Sequence, residues 1–165
     1  MVSYTVPPIY AAFVWWFSTG AVLLLVGRSG RFDISRIVCA LGFLLASLFG
    51  LALTANETNV GGAYVAFTCT ILLWGAQEIA FLAGWLTGPR PQPCPEGAKS
   101  WIRLGFALRA ILYHELALLA CGTAVVALTW SGSNPVGLWT FAALWVLDRA
   151  PRSICFSAFP SPMTS

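Results

Sequence analysis

The chain has 165 residues, of which 58% are hydrophobic and only 9% charged. Soluble domains carry about a quarter charged residues, so a soluble globular fold is excluded by composition. The formal net charge of +3 comes from Lys and Arg spread over separate gaps, which excludes the one-faced basic patch of a nucleic-acid binder.

Five apolar stretches follow one another: Ile9–Val26, Ile37–Thr54, Ala63–Leu86, Phe106–Trp130 and Val136–Leu147. The first four are long enough for a hydrocarbon core of ~30 Å, which takes about 20 helical residues. The fifth is marginal, because Asp148 interrupts it early. The gap after the first stretch holds Arg28, Arg31 and Arg36, and the gap after the third holds Arg90, Lys99 and Arg103. The lead-in and the gaps at Asn56–Val60 and Ser131–Pro135 hold no Lys or Arg. This alternation predicts an all-α polytopic bundle of about five transmembrane helices with the N-terminus outside. Arg149 and Arg152 then place the C-terminus inside. The first stretch lacks a basic lead-in, so it reads as a retained helix and not a cleaved signal. Trp15, Trp16, Trp85, Trp101 and Trp130 lie near span ends, as in an interfacial aromatic belt.

The cysteines Cys39, Cys69, Cys94, Cys121 and Cys155 fall one to a segment without a CxxC pair. They signal neither a disulfide framework nor a zinc site. The connection Gly88–Ser100 carries four prolines and is expected to be stiff and non-helical. Gly42, Ala46 and Gly50 in the second span form a small-xxx-small stripe, as do Ala76, Ala80 and Gly84 in the third. Such stripes let helix backbones approach closely in lipid. In the fourth span Ala107, Ala110, His114, Ala117, Cys121 and Ala124 recur at spacings of three and four, and share one face. The chain divides into a transmembrane domain, residues 1–147, and a Ser- and Pro-rich stretch, 148–165, expected to be an irregular cytoplasmic tail.

A charge inside a span costs about 2.5–3.5 kcal/mol on insertion scales, so its presence calls for a reason. The third span carries Gln77 and Glu78; the fourth carries Arg109, Tyr113, His114 and Glu115. At ~1.5 Å rise per residue, Glu78 and His114 come to lie at similar depths on antiparallel neighbours. Three readings of this cluster stand side by side. The residues satisfy one another and hold the helices in register. Alternatively, His114 is the axial ligand of a pigment magnesium or haem iron, oriented by a carboxylate. The third reading is a carboxylate–histidine metal or proton site. His114-Glu115 opens an HExxH pattern, but position 118 is Leu, so the second zinc ligand is missing.

WGAQEIAFLAGWLTGPR (Trp74–Arg90), CPEGA (Cys94–Ala98), YHELALLA (Tyr113–Ala120) and LTWSGSNPVGLWTFAALWVL (Leu128–Leu147) together resemble the PuhE family. This is photosynthetic complex assembly protein 2 of anoxygenic phototrophic proteobacteria. The resemblance implies a multi-pass protein of the bacterial inner membrane, with its N-terminus periplasmic. It implies support of reaction-centre and light-harvesting complex assembly, or modulation of bacteriochlorophyll supply. Partners implied are the lipid membrane and either complex subunits or pigment-synthesis enzymes. Bacteriochlorophyll or another tetrapyrrole is the cofactor class it brings into view, and His114, as read above from the residues, is the side chain that would meet it. No catalytic reaction is assigned to the family, so a non-enzymatic factor is expected. The alternative is a small membrane enzyme or transporter acting on pigment precursors through the Glu/His cluster. Family members continue past the LW-containing span in an ordered stretch, whereas this chain breaks pattern after Leu147. A frameshift or a short variant is the expectation there.

Overall fold

The computed structural model describes residues 4–27, 34–83 and 100–157, with side-chain surroundings at 4–25, 34–35, 37–83 and 112–148. Five helices follow in order: α1 (Val6–Gly27), α2 (Ile34–Thr54), α3 (Val60–Leu82), α4 (Ser100–Thr129) and α5 (Val136–Ser157). Four of them contain a window long and apolar enough to cross a membrane; in α5 the apolar part is shorter, Val136–Asp148. The all-helical architecture is that of a membrane bundle, in which every backbone group is satisfied within its own segment.

Local chemistry sets several helix starts. Pro7 and Pro8 sit in the first turn of α1, where a missing N–H leaves no bond unmade. Asn59 caps α3 with an extended backbone, and its side chain accepts from the Gly62 N–H at 2.7 Å. Asn134, two residues ahead of α5, covers the start of that helix by accepting from the Val136 N–H at 3.2 Å.

The central element is α3, against which each of the other helices packs. Contacts fix the directions. Gln77 meets Cys121 while Phe81, farther along α3, meets His114, earlier in α4, so α3 and α4 are antiparallel. Thr70 meets Gly137 and Trp74 meets Phe141, so α5 runs parallel to α3. The Tyr10 hydroxyl shares a hydrogen bond of 2.6 Å with Thr68, and Gly75 lies beside Val22, so α1 is parallel to α3 as well.

Many large apolar side chains point outward, while Leu51, Leu73, Leu118 and Phe141 pack inside beside buried polar groups. Phe17, Leu45, Phe49, Trp139 and Val146 are all exposed, while Ser47 and Thr70 are fully buried. A soluble domain would expose no such apolar girdle. Buried hydroxyls close onto the preceding turn: Thr70 donates to the Ala66 carbonyl at 2.9 Å and Thr129 to Val125 at 2.8 Å. This satisfies them without water.

The packing faces differ from the small-residue stripes in the sequence. In α2 only Gly50 makes a close approach, onto Cys69; a Cβ on Gly42 would meet nothing within 4 Å, and Ala46 is exposed. The inward face of α2 is Ala40, Ser47, Leu51 and Thr54. In α3 Ala76 is buried and Ala80 half-buried, while Gly84 lies outside the described residues. The buried line of α4 runs through His114, Leu118, Cys121, Val125 and Thr129, with Ala117 and Ala124 half-buried at its edge. Branched side chains fill the seam because α2, α3 and α5 surround it and leave volume to occupy.

Helix α5 continues ten residues beyond Leu147, through Ser157, where the sequence composition suggests an irregular tail. Extending an existing helix adds one hydrogen bond per residue fixed, except at Pro151, which has no N–H to give, and Arg149, Ala150 and Arg152 are good helix formers. Residues 158–165 and the Pro-rich connection 88–99 lie outside the described residues.

The two loops without Lys or Arg are joined at one end of the bundle. Asn134, 4% exposed, donates to the Thr54 carbonyl at 3.0 Å, and its own N–H donates to the Ala55 carbonyl at 2.9 Å. One residue thereby caps α5, closes the α4–α5 loop and ties it to the end of α2.

Candidate functional site

The polar residues of α3 and α4 lie toward the opposite end, one to two turns before α3 finishes at Leu82. Gln77 is 8% exposed and donates through Nε2 to the sulfur of Cys121. His114 is 1% exposed, with its ring centroid 4.5 Å from that of Phe81 and the planes tilted by 42°. Gln77 and His114 therefore both stand on the α3–α4 seam, one turn of α3 apart along its length.

Glu78 follows Gln77 in sequence, about 100° around the helix. It lines a groove of about 380 Å³ between α1 and α5, together with Asp148. Tyr113 and Glu115 flank His114 and are half-buried. The backbone of Arg109 belongs to α4, but its side chain lies outside the described residues.

Two further clefts open on the bundle. One of about 280 Å³ lies between α2 and α4, over Ala76, Gln77, Ala117 and Cys121. The other, about 470 Å³, lies at the joined-loop end, walled by Tyr10, Tyr64 and Phe67. His114 lines none of the three.

The fit to a tetrapyrrole can be tested directly. An axial ligand must present a ring nitrogen to an open, flat space beside it. Around His114 the described residues close that space: the imidazole is almost fully buried and Phe81 packs on it. Among the described residues, no open flat space of the kind an axial ligand needs adjoins the ring. Among the described residues, no three His, Cys, Asp or Glu side chains converge so as to hold a metal ion. What the seam supplies is an interhelical hydrogen bond and a ring contact, both of which hold α3 against α4.

Sequence reasoning placed Cys121 on the seam but not as the partner of Gln77, and passed over two further members of this layer. Cys121 reads as a small apolar residue on a packing stripe, yet it is the acceptor for Gln77. Phe81 carries no polar signal at all. Asp148 sits where the apolar run ends and reads as the start of a tail, yet it lines the same groove as Glu78.

Fold and polar layer together define a multi-pass helical protein whose ionisable residues are concentrated near one end of the bundle. The chain belongs to the family described as "Protein of unknown function (DUF3623)", whose profile matches residues 1–156. The match extends through Asp148–Phe156, past the point where the sequence suggests a break. A relative in Rhodobacter capsulatus, described as an "Uncharacterized 30.4 kDa protein in puhA 5'region", is 39% identical over 152 residues. That alignment covers 90% of this chain and 56% of the relative, so the chain spans little more than half the relative's length. No solved structure matches.

Proposed function

We propose that this protein is an inner-membrane factor of the PuhE type. It supports assembly of bacterial reaction-centre and light-harvesting complexes, or the bacteriochlorophyll supply that assembly depends on. The observation that carries this reading is the relative at 39% identity, which comes from the puhA 5' region, part of a photosynthesis gene cluster. The helical membrane architecture agrees with it, because the complexes in question assemble within the bilayer.

In this reading the Gln77–Cys121 and His114–Phe81 contacts are structural. They fix α3 against α4 in lipid, where no hydrophobic force drives helices together and packing and hydrogen bonds do so instead. The N-terminus and the joined loops lie on the periplasmic side, and the Arg-bearing connections lie in the cytoplasm. Partners then meet the protein on its lipid-facing surfaces or at its cytoplasmic loops.

Deleting the gene and separately quantifying pigment and assembled complexes tests the proposal. Loss of complexes with pigment still made supports an assembly role. Loss of pigment with accumulated precursors moves the role to supply. Unchanged pigment and unchanged complexes sink the reading.

A further inference from the structure

Helices α2 and α4 both pack on α3 and leave a cleft of about 280 Å³ between them. Alanines of all three helices line it: Ala40 of α2, Ala76 and Ala80 of α3, Ala117 and Ala120 of α4. Among the described residues on its walls, only Gln77 carries a side-chain oxygen or nitrogen.

The Gln77 carboxamide has two halves, and the chain engages one of them. Its Nε2 donates to the sulfur of Cys121. Its carbonyl oxygen, Oε1, makes no hydrogen bond with the described residues, although the side chain is only 8% exposed. A carbonyl oxygen can accept twice, and one left without a donor away from water is costly. The cleft that Gln77 lines is the space from which a donor can reach it.

The volume and that oxygen together select the occupant. Water inside a protein takes about two to four hydrogen bonds, and these apolar walls do not offer them. A plain hydrocarbon chain fills the space and leaves the oxygen unmet. A transmembrane helix, about 10–12 Å across, would cover a cleft of this size without entering it. An amine would bring a charge into the span. A hydroxyl on an apolar body meets both demands, in the manner of ligand sites that are apolar with one or two orienting polar groups.

We propose that the cleft between α2 and α4 binds a small lipid-soluble alcohol, its hydroxyl donating to Gln77 Oε1 and its hydrocarbon part lying among the alanines. The site goes beyond the assembly role and stands or falls without it.

Photolabelling of the full chain in lipid nanodiscs with a diazirine-bearing octanol tests the idea. The expected adducts map to the cleft walls, at Leu44, Ala117 or Ala120. Octanol should protect at a bilayer concentration at least about tenfold below that of octyl methyl ether, which keeps the chain and the oxygen but cannot donate. Gln77→Leu should abolish that preference. Because this change also breaks the contact to Cys121, Ala120→Phe is the second variant. Ala120 is exposed at the lip of the cleft, so a ring there fills the space and leaves Gln77 and Cys121 in place. Labelling should fall about tenfold in Ala120→Phe, as for an occupied pocket, with the unfolding midpoint unchanged. The mapping and the protection series use the unaltered chain and decide the matter even where a variant accumulates poorly. Equal labelling of the outward-facing Leu45, equal protection by octanol and its methyl ether, or undiminished labelling of a folded Ala120→Phe overturns the proposal.

Discussion

Gln77 of α3 donates its side-chain amide to the sulfur of Cys121 on α4, buried where α3 and α4 meet. The pair couples two antiparallel helices at a depth from which water is excluded. Because Cys is a weak acceptor, its worth comes as much from leaving no bare amide as from the bond itself.

Cys121→Ala is therefore expected to destabilise the bundle by about 1–3 kcal/mol, the cost of a buried donor left unmade. Gln77→Ala removes the same contact from the other side. A double-mutant cycle between them, read from unfolding in detergent, should give a coupling of roughly 0.6 kcal/mol, the scale found for interhelical hydrogen bonds in membranes. A coupling of zero would mean that the two side chains act independently.

Gly137 makes a close approach in the α2–α3–α5 core. A Cβ there would fall 2.5 Å from Leu51 Cδ2 and 3.4 Å from Thr70 Oγ1, and Leu51 is itself only 1% exposed. Gly137→Ala is expected to cost about 1–3 kcal/mol through overpacking. Gly42→Ala should be neutral or stabilising by up to about 1 kcal/mol, since its Cβ enters open space and Ala is the better helix former. Thermal unfolding of the two variants side by side distinguishes packing from propensity. Equal effects would place the close approach elsewhere.

This contrast explains what was legible in the sequence. The spans were readable because crossing lipid demands long apolar runs; α2 ends at Thr54, where the run ends. Polar residues such as Gln77 and His114 stood out because each is costly in such a run. The faces were not readable. In lipid both sides of a helix are apolar, so no amphipathic stripe marks the interior, and Gly42 and Ala46 looked as competent as Gly50. The pairing of Cys121 with Gln77 and the place of Phe81 were missed for the same reason, since neither residue departs from the apolar background. Asp148 was misread because α5 loses its hydropathy there while its helix continues.

Asn134 holds the α4–α5 loop to the end of α2 through the Thr54 and Ala55 carbonyls while also capping α5. Asn134→Ala loses a donor and an acceptor at once, and is expected to cost about 1–3 kcal/mol. Asn59→Ala removes a cap and an exposed hydrogen bond to Glu57, and should cost about 1 kcal/mol. Unfolding midpoints of both variants check the order. An Asn59 variant less stable than the Asn134 variant would contradict the clamp.

His114 packs against Phe81 with 1% of its surface exposed. His114→Ala should therefore lower stability by about 2 kcal/mol or more, as a buried cavity does. It should leave the visible absorption of the purified protein unchanged. A bacteriochlorin band present in the unaltered protein and absent from the variant would reinstate ligation.

The contact at Asn134 also bears on orientation. It requires the 55–59 loop and the 130–135 loop to lie on one side of the membrane, independently of any charge rule. The distribution of Arg says which side, because both loops lack Lys and Arg while the connections at the other end carry them. Alkaline phosphatase, active only outside the cytoplasm, should be active when fused after Asn56 or Ser133. A fluorescent protein that matures only in the cytoplasm should light up after Arg31 or Gln92. The reverse pattern would invert the protein and put the end holding Glu78 and Asp148 on the periplasmic side. Reporters placing Asn56 and Ser133 on opposite sides would break the Asn134 contact, and with it the parallel packing of α3 and α5.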